Sequence, residues 1–385
     1  MQQELTQKSN SKNYLLQLRF TQHGHGITLA MLWAIINLAL FLQKGIVTGY
    51  EAEKYITNAD HLLQTGHLAN GQFRYYYTEI LLISIAKQTG TFPYLPVLVQ
   101  LSLNAFATLC FYRLLYQSHR NWIAAAGTAA LIAMVYYQEY NFYLFTESIY
   151  FSGLIIYLHG LQQAVCRQRL WIALLPLMLV LMIFTRPVGI FLVPATVAFL
   201  LLQPNTHILK IWKWLCCSIA IAAFTLMVNT IMNAGGGFNF LMPFSSGQIL
   251  CGVSNTAPAF ILPNNINPNS LQGIGHMIVQ QPRFFIQIAV ERFLSFWGLI
   301  RSFYAPAHNL FIAVYFYSLY LLSVLGIRRW CSSDHSLLGF IVTLLLLTSF
   351  AATLSCDDWH NRFILPLLPM IIILASFVAR PFAQK

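Results

Sequence analysis

The sequence predicts an all-helical, polytopic transmembrane bundle. Of its 385 residues, 57% are hydrophobic and only 9% charged, against roughly 25% charged in soluble domains. Its apolar residues also fall into runs that approach or reach the roughly 18–20 residues a helix needs to cross a hydrocarbon core. In lipid the backbone must satisfy its own hydrogen bonds, and for runs of this length that means helices.

Residues 1–26 read as a cytoplasmic N-terminal segment carrying Lys8, Lys12 and Arg19. They lack the short basic region and small-residue cleavage site of a signal peptide, so the first apolar run is expected to stay as a span. Predicted spans follow at 27–46, 94–115, 122–138, 147–164, 170–185, 188–203, 211–232, 308–327, 336–354 and 362–379. The apolar stretch from Glu79 to Thr89 covers only about 16 Å as a helix, which predicts a short or re-entrant element and leaves a total of about 10–12 spans. With no repeat of 20 to 50 residues, the chain reads as a single domain, 1–385.

The basic residues punctuate these runs, so the net charge of +11 is a topology signal and not a nucleic-acid surface. Arg113 with Arg120, Arg167 with Arg169, Lys210 with Lys213, and Arg328 with Arg329 all fall at alternate connections. The positive-inside rule then predicts a multi-pass protein of the cytoplasmic (inner) membrane with both termini cytoplasmic. The opposite, extracytoplasmic face receives Glu51, Glu53, Asp60, Glu79, Glu139, Glu147, Glu291, Asp357 and Asp358, nine of the eleven acidic residues. Acidic residues barely influence orientation, so their one-sided distribution points independently to a polar site there.

Two external segments are long, 47–93 and 233–307, and compact bundles rarely carry such loops without a function. The second contains Gly235, Gly236 and Gly237, read as a flexible turn because the Lys and the strand-to-helix context of a phosphate loop are missing. It ends in 281–300, where Arg283, Gln287, Glu291 and Arg301 alternate with Phe284, Phe285, Ile288, Phe293, Phe296 and Trp297. That pattern suits an amphipathic helix lying at headgroup depth. The seven cysteines show no metal-ligand spacing and are expected to be small core residues, with a Cys251–Cys356 pair not expected from spacing alone.

In the first external loop, apolar positions 52, 55, 56, 59, 62 and 63 keep a helical period. Glu51 stands at the helix N-terminus on the edge of that stripe, while Glu53, Lys54, Thr57 and Asp60 are expected to face water. Glu51 is therefore the better-placed base, although a carboxylate there also favours the helix dipole. Arg186 joins two apolar segments, where an isolated charge costs about 2.5–3.5 kcal/mol. It must snorkel, pair with Glu147 or Glu139, or serve an anionic ligand. Asp357, Asp358 and His360 offer too few convergent ligands for a divalent ion, so no metal or cofactor is expected and His360 reads better as a phosphate contact.

Several of these places, in order, resemble the GT-C glycosyltransferases that use polyprenyl-phosphate sugars, such as the bacterial aminoarabinose and protein mannosyl transferases. Glu51 to Leu63 is similar to their first-loop acidic signature, with Glu where Asp is usual, and Thr146-Glu147-Ser148-Ile149-Tyr150-Phe151 to their small-Glu-x-x-aromatic opening of a span. Thr185-Arg186-Pro187-Val188-Gly189 resembles a Thr-Arg-Pro-x-Gly element, and Arg362 to Pro369 an Arg-x-x-Leu-Pro-x-x-Pro ending. The Pro-rich stretch expected near Arg74 is missing.

The resemblance implies an inverting transferase that moves a sugar from a polyprenyl-phosphate-linked donor to a lipid, glycan or protein acceptor outside the cytoplasm. Glu51 would be the general base. Arg74, Arg186, Arg301, Arg362 and His360 would bind the donor phosphate, with Glu53, Glu147, Asp357 and Asp358 as secondary acidic candidates. On this reading Glu51→Gln removes turnover and barely changes donor affinity. A transporter or flippase of lipid-linked saccharides would also need phosphate-binding arginines, but it would show paired discontinuous helices and repeat symmetry. A glycan polymerase would differ mainly in taking a pyrophosphate-linked donor.

Overall fold

The computed structural model describes residues 24–203, 210–234, 241–253, 255, 261, 263–267, 269–330, 335–358 and 360–379, with the backbone alone at 210–216, 220, 241 and 242. Among them the fold is helical, with isolated bridges but no strand. Four helices are long and apolar enough to cross a membrane, Gly24–Lys44, Tyr94–Ser118, Pro306–Arg328 and His335–Leu354, and they mark the chain as a membrane protein.

Helix α1 (Gly24–Lys44) leads through a short connection into α2 (Glu51–Thr65). Ala52, Tyr55, Asn58 and Ala59 form the buried stripe of α2, and Gly66 stops the helix in the left-handed conformation, its N–H returning to the Leu62 carbonyl. Glu53 is exposed as expected, but Lys54 is half-buried. Helix α3 (Tyr77–Gln88) is the short element expected near Glu79, and α4 (Tyr94–Ser118) follows.

The predicted span 122–138 is cut short. Helix α5 (Asn121–Ala133) ends where Met134 leaves the helical region, and α6 (Val135–Gln138) restarts for one turn before a 3₁₀ turn, Glu139–Phe142.

Helix α7 (Thr146–Val165) is the hub, with 16 of its 20 residues buried, and it packs between α4 and α8 (Arg169–Thr185). Because protein surrounds it, it tolerates Glu147, Ser148 and His159 where a lipid-facing span would not. Buried amides tie its start to the first span. Ser148 donates to Asn141 at 2.7 Å, Asn141 to Asn37 at 2.9 Å, and the Trp33 indole of α1 reaches Asn104 of α4 at 2.7 Å.

Helix α9 (Leu192–Leu201) continues from a 3₁₀ turn and packs on the long span His335–Leu354; α10 (Lys210–Met232) and the single turn α11 (Leu241–Ser245) follow. Gly235–Gly237 lie outside the described residues. Helices α12 (Leu271–Gln280) and α13 (Pro282–Gly298) close the long second segment. The helix expected at 281–300 is α13, its Gln287 and Glu291 hydrogen-bonded on the open face and Ile288, Arg292 and Phe296 buried. A π turn joins α14 (Pro306–Ile312) to α15 (Ser318–Arg328). Helix α16 (His335–Leu354) and α17 (Leu368–Ser376) complete the bundle, α17 resting on α15 and α5.

The expectation for the cysteines needs correction. Cys251 and Cys356 form a disulfide with their Cα atoms 5.2 Å apart. Spacing could not reveal it, because 105 residues separate them and only the fold brings them within reach. Backbone bonds from Cys251 N to Asp357 O and from Asp357 N to Ile249 O, at 2.9 and 2.8 Å, hold the same junction.

Candidate functional site

Three local conformations aim the charged groups. Pro187 lacks an N–H, and its ring drives the preceding residue out of the helical region. Arg186 is accordingly extended and caps α8, so its side chain departs from the helix direction. The turn that follows folds back so tightly that a Cβ on Gly189 would sit 2.2 Å from the Met182 carbonyl oxygen, which explains the glycine of the Thr-Arg-Pro-x-Gly element.

Asn361 supplies the second. It adopts a left-handed conformation with φ 55°, which Asn tolerates, and its amide donates to the Leu299 carbonyl at 2.7 Å. The Asp358 carboxylate accepts the His360 N–H at 2.9 Å, so a tight turn presents Arg362. The third is the α2 N-terminus, where Tyr50 at φ 58° turns the chain into Glu51.

These elements converge on one ion cluster. Arg362 donates through Nη1 to Glu51 Oε2 and through Nη2 to Glu51 Oε1 at 3.2 Å, the two-pronged pairing that guanidinium and carboxylate favour. Its Nη1 also lies 3.4 Å from Glu147 Oε1, and its Nε pairs with Asp358 Oδ1 at 2.8 Å. Arg186 Nη1 holds Glu147 at 2.7 Å, and Lys54 holds Glu51 at 2.9 Å. Three cations thus face three carboxylates. Burial raises the Glu51 carboxyl, but the Arg362 and Lys54 charges outweigh it and hold it down at about 2.

Two cavities meet here. A cleft of about 570 Å³ is walled by aromatic residues such as Tyr136, Tyr140 and Tyr304, with Glu51, Asp358, His360 and Arg362 on its surface. A mostly apolar slot of about 80 Å³ runs between α7 and α16 and contains Arg186 and Arg362. Among the described residues, Arg362 alone lines both.

The structure therefore brings together Glu51, Glu147, Asp358, Arg186 and Arg362, with His360 at the cleft wall. Of the partners open to Arg186, Glu147 takes it, while Glu139 goes to Lys44. Arg301 lies elsewhere. It is buried against Asp357 and donates to Ser295 Oγ at 2.9 Å and to Asn361 Oδ1 at 2.7 Å, so it braces the turn from behind. Burial raises the Asp357 carboxyl despite the opposing Arg301 charge. Arg74 is exposed on the 3₁₀ turn Gly71–Tyr76 and lines neither cavity, and Glu53 points away to solvent. Among the described residues no three His, Cys, Asp or Glu side chains gather as metal ligands would.

Lys54 and Arg292 escape a reading by periodicity alone. Lys54 belongs to the cluster, and its position three residues after Glu51 was the available signal. Arg292 is fully buried and donates to the carbonyls of Gln248, Thr353, Leu354 and Pro243 at 2.7–3.2 Å. Burial lowers its guanidinium to about 10, so it remains charged at neutral pH. Its place between Ile288 and Phe296 on the apolar stripe was the clue. No protein-family model, curated protein or solved structure matches this chain.

Proposed function

We propose that this protein is an inverting membrane glycosyltransferase of the GT-C type, drawing on a polyprenyl-phosphate-linked sugar. The observation that carries the reading is the junction at Arg362, where a carboxylate on an open cleft adjoins paired guanidinium groups in a narrow apolar slot. The slot suits a lipid phosphate with its chain along apolar walls, and the cleft is within the usual size range for small-molecule sites.

In this mechanism the donor phosphate binds Arg362 and Arg186, and the sugar enters the cleft beside Glu51. Glu51 accepts the proton of the acceptor hydroxyl or amine, whose lone pair forms the new bond at the anomeric carbon. The bond from that carbon to the phosphate oxygen breaks on the opposite face, and its electron pair leaves with polyprenyl phosphate. The guanidinium groups stabilise the charge that develops there. Ten spans, cytoplasmic termini and an extracytoplasmic site complete the proposal. The disulfide beside Asp357 supports that sidedness, because such bonds persist in oxidising compartments.

Incubating the purified protein with radiolabelled polyprenyl-phosphate sugars and candidate acceptors, with release of polyprenyl phosphate as readout, tests the reading. Release that requires an acceptor and Glu51 supports it. Binding of the donors without release across a panel of sugars and acceptors would favour transport instead.

A further inference from the structure

Arg362 has more partners than it can keep once a phosphate arrives. Glu51, Glu147 and Asp358 already surround it, and it is the residue shared by slot and cleft. A lipid phosphodiester brings another negative charge to a cluster whose cations and carboxylates are already matched, so one carboxylate must yield its place.

The three differ in what they would lose. Glu147 is already held more closely by Arg186, at 2.7 Å, than by Arg362, at 3.4 Å, so its withdrawal would free little of the Arg362 guanidinium, and with a side chain only 1% exposed it has no water to move into. Asp358 is 10% exposed and also accepts the His360 N–H. Glu51 is 30% exposed, faces the cleft, and keeps a second cation in Lys54. That ammonium is itself anchored, lying 5.0 Å from the Tyr55 ring centre and 5.1 Å from that of Tyr76.

We propose that donor phosphate and Glu51 compete for Arg362, and that Lys54 is a positioning residue that retains the displaced carboxylate at the cleft as the base. The inference rests on the transferase reading and adds an order to it, the donor binding first and thereby freeing the base for the acceptor. No covalent step is added. Lys54 acts through Glu51 and touches neither substrate.

The experiment measures binding of a short-chain polyprenyl phosphate to the purified full-length protein and its variants. Glu51→Gln should bind about tenfold more tightly than the unaltered protein, because a competitor for Arg362 is gone. Glu53→Gln, exposed on the same helix, should bind as the unaltered protein does. Lys54→Met should weaken binding about threefold, because Glu51 then clings to Arg362, and should have no effect in a Glu51→Gln background. Transfer assays should show Lys54→Met lowering kcat, with Lys54→Arg restoring most of it.

Unchanged or weaker binding by Glu51→Gln, or an equal effect of Lys54→Met in both backgrounds, would overturn the competition. Failure of the unaltered protein to bind the lipid phosphate would overturn the transferase reading and the competition with it. Tighter binding by Glu51→Gln, with no transfer by the unaltered chain, would uphold the competition and sink the transferase reading.

Discussion

Glu51 and Arg362, 311 positions apart in the chain, share a two-pronged ion pair at the meeting of the cleft and the slot. The pair joins the first loop to the turn before the last helix. A carboxylate so held is ionised at neutral pH but a weak base until its partner is drawn elsewhere.

Turnover should depend on Glu51 and not on Glu53. A positioned base contributes about 10² to 10⁴ in rate, so Glu51→Gln should lose about that much. Glu53→Gln should be nearly silent in an assay of polyprenyl-phosphate release. The expectation that donor affinity would barely change gives way to tighter binding, because Glu51 shares a cation with the proposed donor site.

Arg186 should matter to both folding and binding. Arg186→Ala leaves Glu147 buried without its closest cation, a loss of about 3–5 kcal/mol for a broken buried pair, and should also reduce donor affinity and turnover together. Pairing Arg186→Met with Glu147→Leu should recover much of the thermal midpoint without recovering activity. Recovery of both would assign the pair to structure alone.

The Glu51 ion pair should impose an acid limit on stability. The folded carboxyl lies at about 2, below its ordinary value of 4.5. A depressed carboxylate contributes stability above the unfolded value and loses it as pH falls through the folded one. The difference in thermal midpoint between unaltered protein and Glu51→Gln should therefore be constant from pH 7 down to about 4.5 and shrink between about 4.5 and 2. A difference that shrinks only above pH 5 would place its cause in another group.

Reducing the disulfide should loosen the turn that presents Arg362. Cys251 and Cys356 close a loop of about a hundred residues, for which removal of a native bond costs about 2–5 kcal/mol. Cys356→Ser should lower the thermal midpoint in detergent, and the unaltered chain should change mobility on a gel when reductant is added. Equal mobility with and without reductant would count against the bond.

Sidedness can be read by labelling single cysteines in a background whose other unpaired cysteines are replaced. Glu53→Cys and Asn264→Cys should react with an impermeant reagent from outside the cytoplasmic membrane, and Gln168→Cys and Arg328→Cys only after the membrane is opened. External reaction at 168 or 328 would invert the scheme.

The sequence by itself determined the helical, membrane-embedded character and most helix limits, because both follow from local apolar content and period. It also marked Arg186, with Glu147 as a candidate partner, as charge where charge is costly, and Glu51 by its place at the edge of a buried stripe. Arg362 came through the resemblance, which named Arg74 and Arg301 beside it although neither joins the cluster. Only the tertiary structure decided how these charges are matched. Glu147 rather than Glu139 takes Arg186, Arg301 is spent on Asp357, Lys54 turns inward, Arg292 is buried, and Cys251 finds Cys356. Such pairings join segments far apart in the chain, and periodicity reports only which side of its own helix a residue occupies, not what another helix brings to meet it.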